Sequence, residues 1–160
     1  MVVTKEEIRK LLNELQNDCN CKYDFDFFNE KEKNAFEWKT VLEGCQGSIY
    51  EDGFYMLKIV FTENYPEVTP SVYFLNKIFH PHISSIGSAC IKKPANKNFD
   101  IITLMDVVEN MFIDYDKDID HAYNEKPAQL YKENPEEFIK EAKNWVREYA
   151  KLEDLDKFYD

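Results

Sequence analysis

Apolar residues at Ile8, Leu11, Leu12 and Leu15 recur at the i, i+3, i+4, i+7 spacing of a single helix face. Thr4 precedes this run and Glu7 follows it by three positions, the two halves of a capping box, so a helix is expected to start at Thr4. The period then changes to two. Tyr23, Phe25 and Phe27 share a face opposite Asp24 and Asp26; Phe36, Trp38, Thr40 and Leu42 alternate with Glu37 and Lys39; Tyr55, Leu57, Ile59 and Phe61 do the same, and Ser71 to Leu75 closes the series. Short turns separate most of these strands, which predicts an antiparallel meander. Helical spacing returns in Leu104, Val107, Val108, Met111 and Phe112, with Thr103 as the expected cap and Asp106 in the first turn. A last helix is expected behind Asn134, with Pro135 at its first position and Glu136 and Glu137 at the positive end of its dipole. Its stripe of Phe138, Ala142, Trp145 and Tyr149 reads as core. The predicted class is α+β: an N-terminal helix, a four-stranded antiparallel meander sheet, a long ordered stretch, then C-terminal helices segregated from the sheet.

The stretch from Phe79 to Thr103 breaks this economy, because its central part shows no clear period. Loops this long in a compact domain are usually functional or disordered. Ile78, Phe79, Ile83, Ile86 and Ile91 argue for order, so chemistry is expected here. Within it, KIFHPHISSIGSACIKK (77–93) sets His80, Pro81 and His82 ahead of Cys90. Three chemistries use such residues. Structural zinc takes cysteines two to four residues apart, whereas Cys19 and Cys21, like His80 and His82, have one residue between them, so no metal is expected. A cysteine hydrolase could pair Cys90 with His80, His82 or His121, but no glycine-rich turn or helix start directly follows Cys90 to build an oxyanion hole. A thioester carrier needs only a shielded, reachable thiol.

Composition narrows the partners. At 160 residues with 44% hydrophobic and 15% aromatic content, the chain is expected to be one packed domain. A net charge of −11 speaks against nucleic acid and for a basic protein surface as partner. No run approaches a membrane helix, and Lys5, Glu6 and Glu7 interrupt any secretory segment, so no membrane is expected. Four irregularly spaced cysteines (Cys19, Cys21, Cys45, Cys90) predict free thiols in a reducing compartment, cytoplasmic or nuclear.

From Trp38 through Cys90 the chain resembles the ubiquitin-conjugating enzymes. Trp38, Gly44, Tyr50, Gly53, Tyr65-Pro66 and Pro70 carry the likeness, followed by FHPHISSIGSACI, with Gly87 three residues before the cysteine. NEKPAQLY and FIKEAKNWVREYA are similar to the family's final helices. The family's tripeptide is usually His-Pro-Asn, with the nucleophilic cysteine eight residues after the Asn; here His82 takes the Asn position and Cys90 lies eight residues on.

The resemblance implies a catalytic domain over 1–152 with a short acidic C-terminal tail, 153–160. It implies that Cys90 takes ubiquitin or a related modifier from an activating enzyme as a thioester. The modifier then passes to an amine of a protein substrate, usually with a ligase. No bound cofactor is implied, since ATP is used upstream by the activating enzyme. His82 then has two possible roles, donating to the oxyanion or bracing the loop, and His80 is expected to be bonded within its turn. His121 falls where members carry Asp, Ser or His, and is expected to accept the amine's proton or position it. Asp114, Asp116, Asp118 and Asp120 precede it, and most are expected to form a solvated acidic loop. Phe99 partly replaces a Trp common after the cysteine, Asp100-Ile101 replaces a ligase-facing loop, and the first helix is mixed in charge. The alternative is a catalytically silent variant of the same fold that binds ubiquitin or a partner.

Overall fold

The computed structural model describes residues 2–93 and 99–159. Helix α1 (Lys5–Gln16) starts as the spacing predicts. The Thr4 hydroxyl accepts from the Glu7 amide at 3.1 Å, and the Glu7 carboxylate accepts from the Thr4 amide at 2.8 Å. Ile8 and Leu12 are buried, with Leu11 and Leu15 half-buried against the core.

Four strands follow, β1 (Asp26–Phe27), β2 (Glu37–Glu43), β3 (Phe54–Val60) and β4 (Ser71–Phe74), paired antiparallel in chain order. The register sets Trp38 opposite Ile59, and Leu57 opposite both Thr40 and Phe74, so one face carries the apolar alternation into the core. Trp38 lies 4.5 Å from Phe61 and 5.3 Å from Phe25 between ring centres. β1 is shorter than its alternation predicts. Tyr23 and Phe25 are buried without being laddered, so their spacing reports burial and not hydrogen bonding.

Helix α2 (Ile101–Asn110) begins earlier than the predicted Thr103 cap. The Asp100 carboxylate accepts from the Thr103 amide at 2.8 Å, which makes Asp100 the cap and puts Thr103 inside the first turn. A short 3₁₀ turn (Ile119–His121) leads to α3 (Glu125–Glu133) and α4 (Pro135–Tyr149), which pack together. Asn134 caps α4 through the Glu137 amide at 3.2 Å, with Pro135 at its first position as predicted. Phe79 lies between Phe138 and Trp145, at 5.6 and 5.2 Å, and so fastens α4 to the site stretch.

The chain ends in a 3₁₀ segment, Leu152–Phe158, that packs against β3. Met56 alternates with the inward-facing Tyr55 and Leu57, yet it is fully buried. Met56 and the equally buried Leu155 stand outside the main core cluster. Lys39, also on the outer side, is 6% exposed with its ammonium 4.5 Å from the Tyr159 ring centre. This terminal segment therefore covers the sheet's outer face. No helix among the described residues is long and apolar enough to cross a membrane.

Candidate active site

The site is built around two histidines that share a turn and have opposite surroundings. His80 is fully buried, stacked on Tyr50 at 5.5 Å between ring centres. Its Nδ1 accepts from the His82 amide at 2.9 Å, which places the ring proton on Nε2, and Nε2–H donates to the Met111 carbonyl at 2.6 Å. Burial pushes its pKa down to about 3, against the pull of the Met111 carbonyl and with help from His82, so the ring stays neutral. The Tyr50 hydroxyl donates to the Phe79 carbonyl at 2.6 Å, and Asn124 clasps the other side of the turn. Its amide donates to the Pro81 carbonyl at 2.8 Å and its side chain to that of Ile83 at 3.0 Å.

From this turn the chain forms a tight hairpin. Ile83 bridges Ala89, and the Cys90 amide donates to the His82 carbonyl at 2.9 Å, making the eight-residue spacing a cross-strand pairing. The hairpin hangs on β4: the Ala89 amide donates to the Val72 carbonyl, and the Phe74 amide to the Gly87 carbonyl at 2.7 Å. Gly87 has φ of +88°, and a Cβ there would lie 2.0 Å from the Phe74 carbonyl oxygen, so no other residue fits.

The half-buried Cys90 thiol opens on a cleft of about 330 Å³. His82, Lys92, Asn110, Asp114, Lys117 and Asp118 are among the residues that line it. The His82 ring donates from Nε2 to the Lys117 carbonyl at 2.6 Å. A neutral imidazole has one N–H, and here it is committed to the loop. Lys92 forms an ion pair with Asp118, whose other carboxylate oxygen accepts from Nδ1 of His121 at 2.9 Å. His121 itself is exposed and is not among the residues lining the cleft; it reaches the site through Asp118. The structure thus brings Cys90 and His82 together directly, and ties His121 to the Cys90 strand through the Asp118 carboxylate and Lys92.

All four aspartates of the acidic loop are exposed, as expected, but three of them have partners. Besides Asp118, Asp116 accepts from the Tyr131 hydroxyl at 3.2 Å and Asp120 pairs with Lys132 at 2.7 Å, which holds the Asp120 carboxyl below its ordinary value. Sequence reasoning gave Asp118 no role beyond the acidic loop and passed over Lys92, Lys117 and Asn124. The available signals were an aspartate three residues before a histidine and a lysine two residues after the cysteine. Phe99 is buried in the core, and its sequence neighbour Asn98 lies outside the described residues.

The sequence profile of the ubiquitin-conjugating enzymes matches residues 5–146. Ubiquitin-conjugating enzyme E2 1 of Caenorhabditis elegans is 30% identical over 120 residues, covering 73% of this chain and 62% of that protein. Ubiquitin-conjugating enzyme E2 2 of Mycosarcoma maydis is 30% identical over 116 residues, 71% of this chain and 62% of the relative. The matched part thus spans less than two thirds of these relatives' length. A crystal structure from Plasmodium yoelii, described as a ubiquitin conjugating enzyme, superposes with a TM-score of 0.76 at 29% identity, over 91% of this chain and 94% of that one.

Proposed function

This chain belongs to the ubiquitin-conjugating enzyme family, and on that premise we propose that it carries ubiquitin or a related modifier as a thioester on Cys90. The Cys90 thiolate attacks the thioester by which an activating enzyme holds the modifier, the activating enzyme's thiolate leaves, and a new C–S bond forms. A substrate amine then attacks that carbonyl. The C–N bond forms, the Cys90 thiolate leaves, and the amine's proton passes to a base. No cofactor takes part; ATP is spent upstream by the activating enzyme. The partners are the modifier, the activating enzyme, a ligase and a protein substrate, and the setting is the cytoplasm or nucleus.

The observation that supports this reading best is the Cys90 thiol at the edge of an open cleft, its backbone held there by the hydrogen bond the Cys90 N–H donates to the His82 carbonyl. A thiol inside the core could not exchange acyl groups with another protein. His82 acts as a brace in this reading, because its neutral N–H is already given to the Lys117 carbonyl. His121 is the proton acceptor. Residues 1–152 form the catalytic domain.

The test is incubation with activating enzyme, ATP and ubiquitin, followed by a non-reducing gel. The wild-type chain should form a thiol-sensitive adduct that Cys90→Ala abolishes. Absence of an adduct with ubiquitin and with every related modifier tried would leave a binding module of the same fold.

A further inference from the structure

We propose that Asp118 is the positioning residue of the discharge step, holding His121 by Nδ1 so that Nε2 is left bare to take the proton of the incoming amine. The inference rests on the thioester reading above. It starts from the backbone: Asp118 adopts a left-handed conformation (φ 55°, ψ 40°), which Asp and Asn tolerate better than other residues with a side chain. From there its carbonyl accepts the His121 amide at 3.0 Å while its carboxylate accepts the His121 ring N–H at 2.9 Å. A neutral imidazole carries its proton on the nitrogen whose hydrogen bond needs it. With Nδ1–H committed to a carboxylate, Nε2 is the basic nitrogen, and no described residue bonds to it.

The same carboxylate ties this pair to the sulfur. Its second oxygen holds Lys92, two residues beyond Cys90, while the neighbouring Lys117 carbonyl takes the ring of His82. Both strands of the Cys90 hairpin therefore grip two consecutive residues of the loop, and His121 is fixed relative to the thiol through Asp118. The charges around His121 are Asp118 and Asp120 of its own turn, with Lys92 and Lys132 reaching in from other elements. Each carboxylate has its own lysine, Lys132 on Asp120 and Lys92 on Asp118, and it is Asp118 whose other oxygen is bonded to the ring. In the step itself the amine gives its proton to His121 Nε2 as its C–N bond forms, and the Cys90 thiolate departs.

The test uses the full chain charged with ubiquitin and chased with a small primary amine. Asp118→Asn keeps the left-handed backbone and removes the charge. It should slow discharge on the order of 10-fold more than it slows charging, a modest share of what a positioned base contributes. His121→Ala should slow discharge at least as much. The double variant should be no slower than His121→Ala, since the two residues act as one unit. Losses that add instead would overturn the proposal, as would full discharge in Asp118→Asn. Nitrogen NMR of the uncharged protein is an independent readout: neutral His121 should show the Nδ1–H tautomer, and an Nε2–H tautomer sinks the positioning role whatever the kinetics show. A wild-type chain that never charges removes the thioester reading and this role with it, a result plainly different from intact charging with altered discharge.

Discussion

His80 and His82 show how far surroundings outweigh residue type. Two positions apart, one ring is sealed in the core and the other faces the cleft. His80 uses both nitrogens, donating from one and accepting at the other, so a second ring proton would meet the His82 N–H head-on. Its pKa is lowered from 6.5 to about 3 in the folded chain. The unfolded state therefore binds the extra proton first as pH falls, and stability contributed by neutral His80 is complete above about pH 6.5 and is lost progressively toward pH 3. Between pH 7 and pH 5 this single group should lower the unfolding free energy by about 2 kcal/mol, read from urea midpoints at the two pH values. His80→Gln, whose amide can both donate and accept, should be less stable at pH 7 but should lack this share of the acid sensitivity. An unchanged difference between the two pH values in that variant would assign the effect to other groups.

At the scale of elements, the Cys90 hairpin and the loop from Asp114 to His121 form one clamp, joined at His82–Lys117 and Lys92–Asp118. His82→Ala removes one of the two joints and no reacting group, so charging and discharge should fall together, by about the same factor, in single-turnover assays. A loss confined to discharge would instead mean that the ring donates to the oxyanion. The sequence showed the regular elements well where burial or capping sets them. The capping box of Thr4 and Glu7, the Asn134–Pro135 start and the alternation of β2 and β3 all appear in the structure. It misplaced the start of α2 because Asp100 and Thr103 are both good caps and only the fold decides between them. The hairpin was opaque because it is held by hydrogen bonds to the edge of β4, which leave no period in side-chain polarity. The position of Cys90 was nevertheless legible, through its spacing from His82. The acidic loop is solvated as its composition suggests, but its partners Lys92, Tyr131 and Lys132 were illegible because they lie elsewhere in the chain, where local charge patterning carries no trace of them.

Across the whole molecule, the sheet is covered on both faces. The helices cover one side, and the segment Leu152–Phe158 covers part of the other, where Met56 and Leu155 are buried apart from the main core. Residues 153–160 read in sequence as an acidic tail, yet Leu155 within them is only 5% exposed, and Tyr159 stacks on the Lys39 ammonium. The Ala150 carbonyl anchors the start of this segment, accepting from the Phe54 amide at 2.9 Å beside the Asn76 side chain that bridges Phe54 and Tyr149. None of its residues lines the Cys90 cleft, so its contribution should be to stability and not to chemistry. Truncation after Lys151 removes the buried Leu155 and uncovers Met56, two side chains worth about 1.5–3 kcal/mol each when fully buried. Relaxation of the uncovered face and a compact denatured state reduce that sum, so a loss of about 3 kcal/mol is expected in urea unfolding. Single-turnover discharge, measured well below the melting temperature, should stay within about twofold of the full chain, because effects this remote couple weakly to the site. A truncated chain as stable as the full one would mean the segment rests on the sheet without burying it, and a discharge defect at full folding would mean the outer face and the Cys90 cleft are energetically joined.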